Sequence, residues 1–316
     1  MTLVPHSGPT WSDRVDQFCI HLEEEEKSAH TRRSYRDTLH AFAAWHREHH
    51  GGDEPEVSRV AKRDALDWKE HIERRGRQDD RGDFRPAAPA TVNRKLSSLR
   101  TFIRWAKDRG LCDPRLEAPK PRRKHGRPKP KSLEPDERKA LIKAAERRES
   151  PRDILLVRLG LEAGLRVAEM AALKWSHVKV GDRKGSIVVR GKGDKERSID
   201  LTKSLRHAFL EHRYERNRGR DRPVLENAHG GGLSVRGIQD IVARLAAVAR
   251  VGKRVGLEGC TVHTLRHTCA DWLLNEQGLS VPEVAEVLGH QDIKTTQIYL
   301  VPHRGRLADR MAAIEG

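Results

Sequence analysis

At 316 residues the chain is long enough for about two domains of roughly 100–200 residues each. Aromatic side chains make up only 4% of it and hydrophobic ones 36%, so its cores are expected to rest on Leu, Val, Ile and Ala. A formal charge of +16 points to a polyanionic partner, because a basic surface draws phosphates and releases their counterions. A membrane surface would require a basic amphipathic helix with large exposed apolar residues, and none is evident.

No apolar run approaches the roughly 20 residues needed to cross a bilayer. The opening MTLVPHSGPTWSDR lacks both a basic region and a hydrophobic stretch, so a cytoplasmic location is expected. Helices are predicted to begin near Trp11. Tyr35, Leu39, Phe42 and His46 share one helical face, with Trp45 beside them. A further helix is expected over Asp64–Arg74, turning Ala65, Trp68 and Ile72 inward. GRQDDRGDFRPAAP reads as a loop. The next helix follows Thr91 as its expected N-cap, buries Val92, Leu96, Leu99, Phe102 and Ala106, and stops at Gly110. Its outer face carries Arg94, Lys95, Arg100, Arg104 and Lys107. A charged face is often merely solvated, but a single sign throughout suggests phosphate contact.

PRLEAPKPRRKHGRPKP is basic and proline-rich, hence an extended connector. It sets the expected division: a helical domain over 9–113, a linker over 114–131 and a second domain over 132–316. Arg122, Arg123 and Lys124 of the linker are further candidates for DNA contact. In the second domain, Glu134–Arg147 and Asp153–Ala163 are predicted helices, the latter ended by Gly164. SIVVR and SIDL flank GKGDKER as a β-hairpin. Helices follow around Leu205–Tyr214, Val235–Ala249, Thr264–Asn275, Val281–Leu288 and Ile293–Leu300. The fold class is therefore mainly α with a small sheet. Without βαβ alternation or a G-x-x-x-x-G-K-[ST] loop, a nucleotide-binding α/β fold is excluded. Cys19, Cys112, Cys260 and Cys269 are scattered, so buried thiols are expected rather than disulfides or structural zinc.

Three clusters carry chemistry. In VHTLRHTCADWLLN, helical spacing places Leu265, Cys269, Trp272 and Leu273 on one face and His263, Arg266 and His267 on the other. A zinc pair at His263 and His267 lacks the intervening Glu and a third ligand. Gly289 ends a helix just before His290. Tyr299 lies near the end of a short helix, where a tyrosine can equally be a core anchor. Local sequence leaves these readings open.

The clusters fall in a fixed order over residues 166–299: GLRVAEM with Arg166, GKGDKER with Lys192, HTLRH, LGH and TTQIYL. Each motif alone is weak, but together they resemble the tyrosine recombinase (phage integrase) family, in particular its compact Xer-type members. The helices over 9–113 resemble that family's core-binding domain. The resemblance implies a metal- and ATP-independent, site-specific DNA recombinase with no cofactor. It implies that Arg166 and Arg266 grip the scissile phosphate, Lys192 is the general acid, His263 and His290 are phosphate and proton-transfer partners, and Tyr299 is the nucleophile. His267 would be a supporting residue. Ala163 stands where many members have threonine, a change expected to touch packing rather than chemistry. The product would be a 3′-phosphotyrosine with a free 5′ hydroxyl. Double-stranded DNA is the implied partner, with a homodimer on each site and a tetramer in synapsis. Leu307, Met311 and Ile314 in the tail suit docking on a neighbouring protomer or folding back in cis. The competing readings are a type IB topoisomerase-like or telomere-resolving strand transferase, and a DNA-binding regulator on an inactive recombinase scaffold.

Overall fold

A computed structural model describes residues 9–74, 77–78, 84–120, 132–191, 196–214, 221–251, 260–290 and 292–299. The chain divides into two compact units, Met1–Arg127 and Pro128–Gly316. Lys192, Arg122, Arg123, Lys124 and the tail from 300 onward lie outside the described residues.

The first unit is built on α1 (Trp11–Glu24), α2 (Ala29–His50), α3 (Lys62–Arg74) and, after a short β pair, α4 (Pro89–Asp108). Thr10 caps α1 and exchanges hydrogen bonds with Asp13, a capping box that fixes where the helix starts. From there Trp11, Val15, Phe18 and Leu22 recur at helical spacing and are all buried. Two expectations need correction. The stretch read as a loop contains β1 (Arg77–Gln78) paired antiparallel with β2 (Phe84–Arg85). Thr91 is not an N-cap: α4 starts two residues earlier at Pro89, whose fixed φ and missing N–H suit a first turn.

The interior of this unit adds a cluster of rings to aliphatic residues such as Leu39, Leu96 and Leu99. Trp11 packs against Phe42 and Phe102 at centroid distances of 5.2 and 5.1 Å, and Phe42 meets Trp68 edge-on at 5.2 Å. Phe18 meets Phe102 edge-on at 5.4 Å. The few aromatic residues of the chain are concentrated here, which a whole-chain percentage hides.

The second unit has a mainly aliphatic core. Around it stand α5 (Pro135–Glu146), α6 (Pro151–Leu161), α7 (Val167–Ala172), α8 (Lys203–Tyr214), α9 (Val235–Ala249) and α10 (Val262–Asp271). The sheet is an antiparallel meander of β3 (Val178–Val180), β4 (Gly185–Arg190) and β5 (Glu196–Asp200). The sequence reading gave only the last two strands; β3 is too short for alternation to show. Ile187 pairs with Ile199, and both are buried with Val189 against the helices. α10 lies close on α6 because Gly160 has no side chain: a Cβ there would sit 2.8 Å from Leu265. Beyond α10 the backbone widens into a π-type turn at Trp272–Glu276, then continues in α11 (Val281–Leu288) and α12 (Lys294–Gln297). Cys269, Leu273, Leu274, Val284, Leu288 and Tyr299 form a smaller apolar cluster beneath these last helices. All four cysteines are buried thiols. Among the described residues no helix is long and apolar enough to cross a membrane.

Candidate active site

The site is organised on the C-terminal end of α11. A helix end leaves carbonyls without intrahelical donors, and here three consecutive ones each receive a guanidinium. Arg197 of β5 donates Nε–H to the Val287 carbonyl at 3.0 Å. Arg266 of α10 donates to Leu288 at 2.7 Å, and Arg166, just before α7, donates to Gly289 at 3.0 Å. Cations at this end also oppose the negative pole of the helix. Gly289 takes the left-handed conformation (φ +64°) that closes the helix and turns the chain into His290.

Glu169 ties two of these arginines together. Its carboxylate accepts from the Arg166 N–H and Nη1 at 2.8 Å each, and from Arg197 Nη1 and Nη2 at 3.0 and 2.9 Å. Burial acts to raise its pKa, but the Arg197 fork and the Arg166 hydrogen bonds outweigh it and hold the carboxyl below its usual range. Arg266 is buried, although it lies opposite the apolar face of α10. Its second nitrogen donates to the Gly164 carbonyl at 2.6 Å. Gly164 has φ +60°, and a Cβ on it would come within 2.3 Å of Leu288, so only glycine allows this approach. Burial and then Arg166 push the Arg266 guanidinium down to about 10, which leaves it charged at neutral pH.

The histidines line the same region. His263 and His267, one turn apart on α10, meet edge-on with centroids 4.1 Å apart. Burial and then the Arg266 charge lower His263. His290 hydrogen-bonds through Nδ1 to Thr296 Oγ1 at 2.8 Å; burial, Arg266 and Arg166 bring its pKa down to about 4. His267 is also pushed down to about 4, by burial and then His263. All three are thus neutral near pH 7.

Tyr299 is 4% exposed, and its hydroxyl bonds Nδ1 of His267. Burial lifts the phenol to about 12 against the opposing pull of Arg266. Asn275 Nδ2 donates to the Tyr299 carbonyl at 3.3 Å, anchoring the backbone there. His267, expected only as a supporting residue, is the side chain that bonds the tyrosine hydroxyl. No expectation fell on Glu169 or Arg197. Glu169 stands three residues after Arg166, the spacing of a capping box, and that was a usable signal. Arg197 had none, because its role depends on β5 lying beside α11.

In the first unit, Arg94 and Arg104 are exposed on α4, whereas Lys95, Arg100 and Lys107 are half-buried. Arg94 is steadied by Ser34 Oγ at 2.7 Å. Arg100 is turned aside to the Pro119 carbonyl at 2.9 Å.

The phage integrase family model matches residues 131–304, and that of the phage integrase N-terminal SAM-like domain matches residues 15–110. The chain belongs to the phage integrase family. Tyrosine recombinase XerC of Xanthomonas axonopodis pv. citri is 31% identical over 294 residues, covering 90% of each chain. Tyrosine recombinase XerD of Listeria innocua is 30% identical over 311 residues, covering 94% of this chain and 97% of its own. Among solved structures, a lambda integrase tetramer bound to a Holliday junction superposes with a TM-score of 0.68 at 17% identity, over 93% of this chain and 78% of that one. At that identity the likeness speaks for the fold. The integrase-family fold expected from the sequence, mainly helical with a small sheet, is the one observed.

Proposed function

We propose that this integrase-family chain is a site-specific tyrosine recombinase that breaks and rejoins duplex DNA through Tyr299. The observation that carries the reading is the gathering of Arg166 and Arg266 on neighbouring carbonyls beside His290, with His263 on the same helix as Arg266. Two arginine forks can bind the non-bridging oxygens of a phosphodiester, where charge builds as the phosphorus becomes five-coordinate. The Tyr299 oxygen attacks phosphorus, and the bond to the 5′ oxygen breaks. A 3′-phosphotyrosine and a free 5′ hydroxyl result.

The proton inventory fits this step. A phenol lifted to about 12 is a weak nucleophile until its proton is accepted. Neutral His267 shares a hydrogen bond with that hydroxyl through Nδ1, and in the tautomer with Nδ1 unprotonated it orients the phenol by accepting its proton's hydrogen bond. The phosphate brings the negative charge that the crowded arginines and neutral histidines are short of. His263 and His290 then act as phosphate and proton-transfer partners, and Lys192 as the acid that protonates the 5′ oxygen. The phosphoester energy is kept in the covalent link, so a 5′ hydroxyl from another duplex can reverse the step without ATP.

Double-stranded DNA is the partner in this reading, read by the first unit and cut by the second, with division near 113 and 132. Assembly as a dimer on each site and a tetramer in synapsis follows the lambda integrase complex, which is described as a tetramer on a Holliday junction. A cytoplasmic location belongs to the same reading. The test is a nicked suicide substrate. The wild-type chain should form a covalent protein–DNA adduct and join the strand to a second duplex, whereas Tyr299→Phe should bind the DNA and form none. An adduct in that variant removes Tyr299 from the mechanism. Binding without any adduct in the wild type favours a regulator, and relaxation without strand exchange favours a topoisomerase-like enzyme.

A further inference from the structure

The end of α2 and the start of α3 hold a cluster that the DNA chemistry does not use. His46 and His50 are one turn apart on α2, so their rings leave the same face, with centroids 4.3 Å apart. Asp64, in the first turn of α3, is buried and directed at both. His50 Nε2 lies 3.3 Å from Oδ1 and His46 Nε2 lies 3.8 Å from Oδ2. The carboxylate is fixed from behind, because Oδ2 also accepts the Ala61 N–H at 2.8 Å. The ligand atoms of the three side chains all lie within 4.8 Å of one another.

These distances are long for the hydrogen bonds of a charged pair, which close to about 2.7–2.9 Å. Bonds of about 2.0–2.1 Å to zinc put neighbouring ligand atoms about 3.3–3.4 Å apart; the His50 contact already has that spacing, and His46 at 3.8 Å needs only a small ring movement to reach it. His46 has a further peculiarity. Its Nδ1 is buried with no hydrogen-bond partner, so the ring is not held by a polar network.

We propose that His46, His50 and Asp64 form a binding site for a divalent cation of the zinc class, with water in the fourth position. Two nitrogens and one carboxylate oxygen are borderline donors that suit zinc over calcium or magnesium. The half-exposed His50 gives the ion its entrance. Bound there, the ion would clamp the end of α2 to the start of α3 and stiffen the first unit. It would take no part in strand cleavage.

The test uses the full chain stripped with a chelator and then titrated with Zn²⁺ by calorimetry, with Co²⁺ as a spectroscopic substitute. One site with a Kd of about 10 µM or tighter is expected, with the visible bands of tetrahedral cobalt. Saturating zinc should raise the melting temperature of the first unit by about 5 °C. His50→Ala, on the exposed side, and Asp64→Asn, which keeps an acceptor for the Ala61 N–H, should each weaken binding at least about 100-fold. His49→Ala, at the neighbouring ring, should leave affinity unchanged. Circular dichroism establishes that each variant is folded. Affinity no tighter than about 1 mM, or binding that survives intact in both His50→Ala and Asp64→Asn, overturns the site.

Discussion

The two units solve the problem of an interior in different ways. The first sets a cluster of rings among its aliphatic chains, and its buried polar residues are Thr38, Asp64 and Ser98 among those described. The second packs aliphatic chains and uses that dry surround to enclose charge: Asp153, Glu162, Glu169, Glu226 and Arg266 are all buried. A buried charge is tolerable only when its hydrogen bonds are made. In the second unit this requirement becomes an organising device, because satisfying Arg266 and Glu169 brings α6, α7, α10, α11 and β5 to one point. The first unit keeps Arg94 and Arg104 on its exposed surface. One unit is built to present charge and the other to position it.

If that contrast holds, substitutions should separate the units by size and kind of effect. The largest effect is expected at Tyr299. Tyr299→Phe should lower adduct formation by at least about 10⁴-fold, yet cost only about 1 kcal/mol of stability for the lost hydrogen bond to His267. Arg266→Ala should harm both readouts, since it strips a donor from the Gly164 and Leu288 carbonyls and leaves a void. A loss of about 3 kcal/mol in urea denaturation is expected together with abolished cleavage. Its counterpart in the first unit, Arg94→Ala, should change stability by less than about 0.5 kcal/mol. It should weaken DNA binding evenly across sequences and reduce the salt slope by about 1. Equal stability losses in the two arginine variants would erase the distinction between presented and positioned charge.

Backbone substitutions sharpen the same comparison. Gly164 and Gly110 both have positive φ, +60° and +65°, so alanine is strained at each. A Cβ at Gly110 meets nothing within 4 Å, whereas at Gly164 it collides with Leu288 and Cys269. Gly110→Ala should therefore cost about 1 kcal/mol and Gly164→Ala about 2–4 kcal/mol, measured by chemical denaturation. A Gly164 variant no worse than its partner would mean that α11 shifts freely, and Arg266 with it.

The same physical contrast explains what the sequence discloses. Helix periodicity and caps are local, so Val235–Ala249 and Val281–Leu288 are legible to the residue. The aromatic cluster of the first unit was hidden by averaging over the chain. In the site, Arg166, Arg266, His290 and Tyr299 could be picked out by their motifs. What motifs do not carry is who holds whom. Arg197 reaches Glu169 across 28 residues and Val287 across 90, distances that only the folded sheet brings together. Helical spacing sets Arg266 opposite the apolar face but does not tell that this side too is enclosed. His267 was given a supporting place for the same reason: its partner lies 32 residues away.

The most direct probe of enclosed charge is the response to acid. His267 and His290 have pKa values near 4 in the folded protein against an ordinary 6.5, with burial the first cause for both. His263 is lowered as well, and so is His46 in the first unit. Between pH 6.5 and 4 the unfolded chain takes up protons at these rings and the folded one does not, so folding stability falls as pH falls through that window. Below about pH 4 both states are protonated and the loss ends. Calorimetric melts should show the second unit's transition moving down more steeply than the first's over this range, the transition being assigned by its shift in Gly164→Ala. His290→Asn should flatten that slope while leaving the first unit's unchanged. Parallel slopes in the two units would mean that enclosure in the second unit, by burial first and by Arg266 after it, does not hold these histidines down.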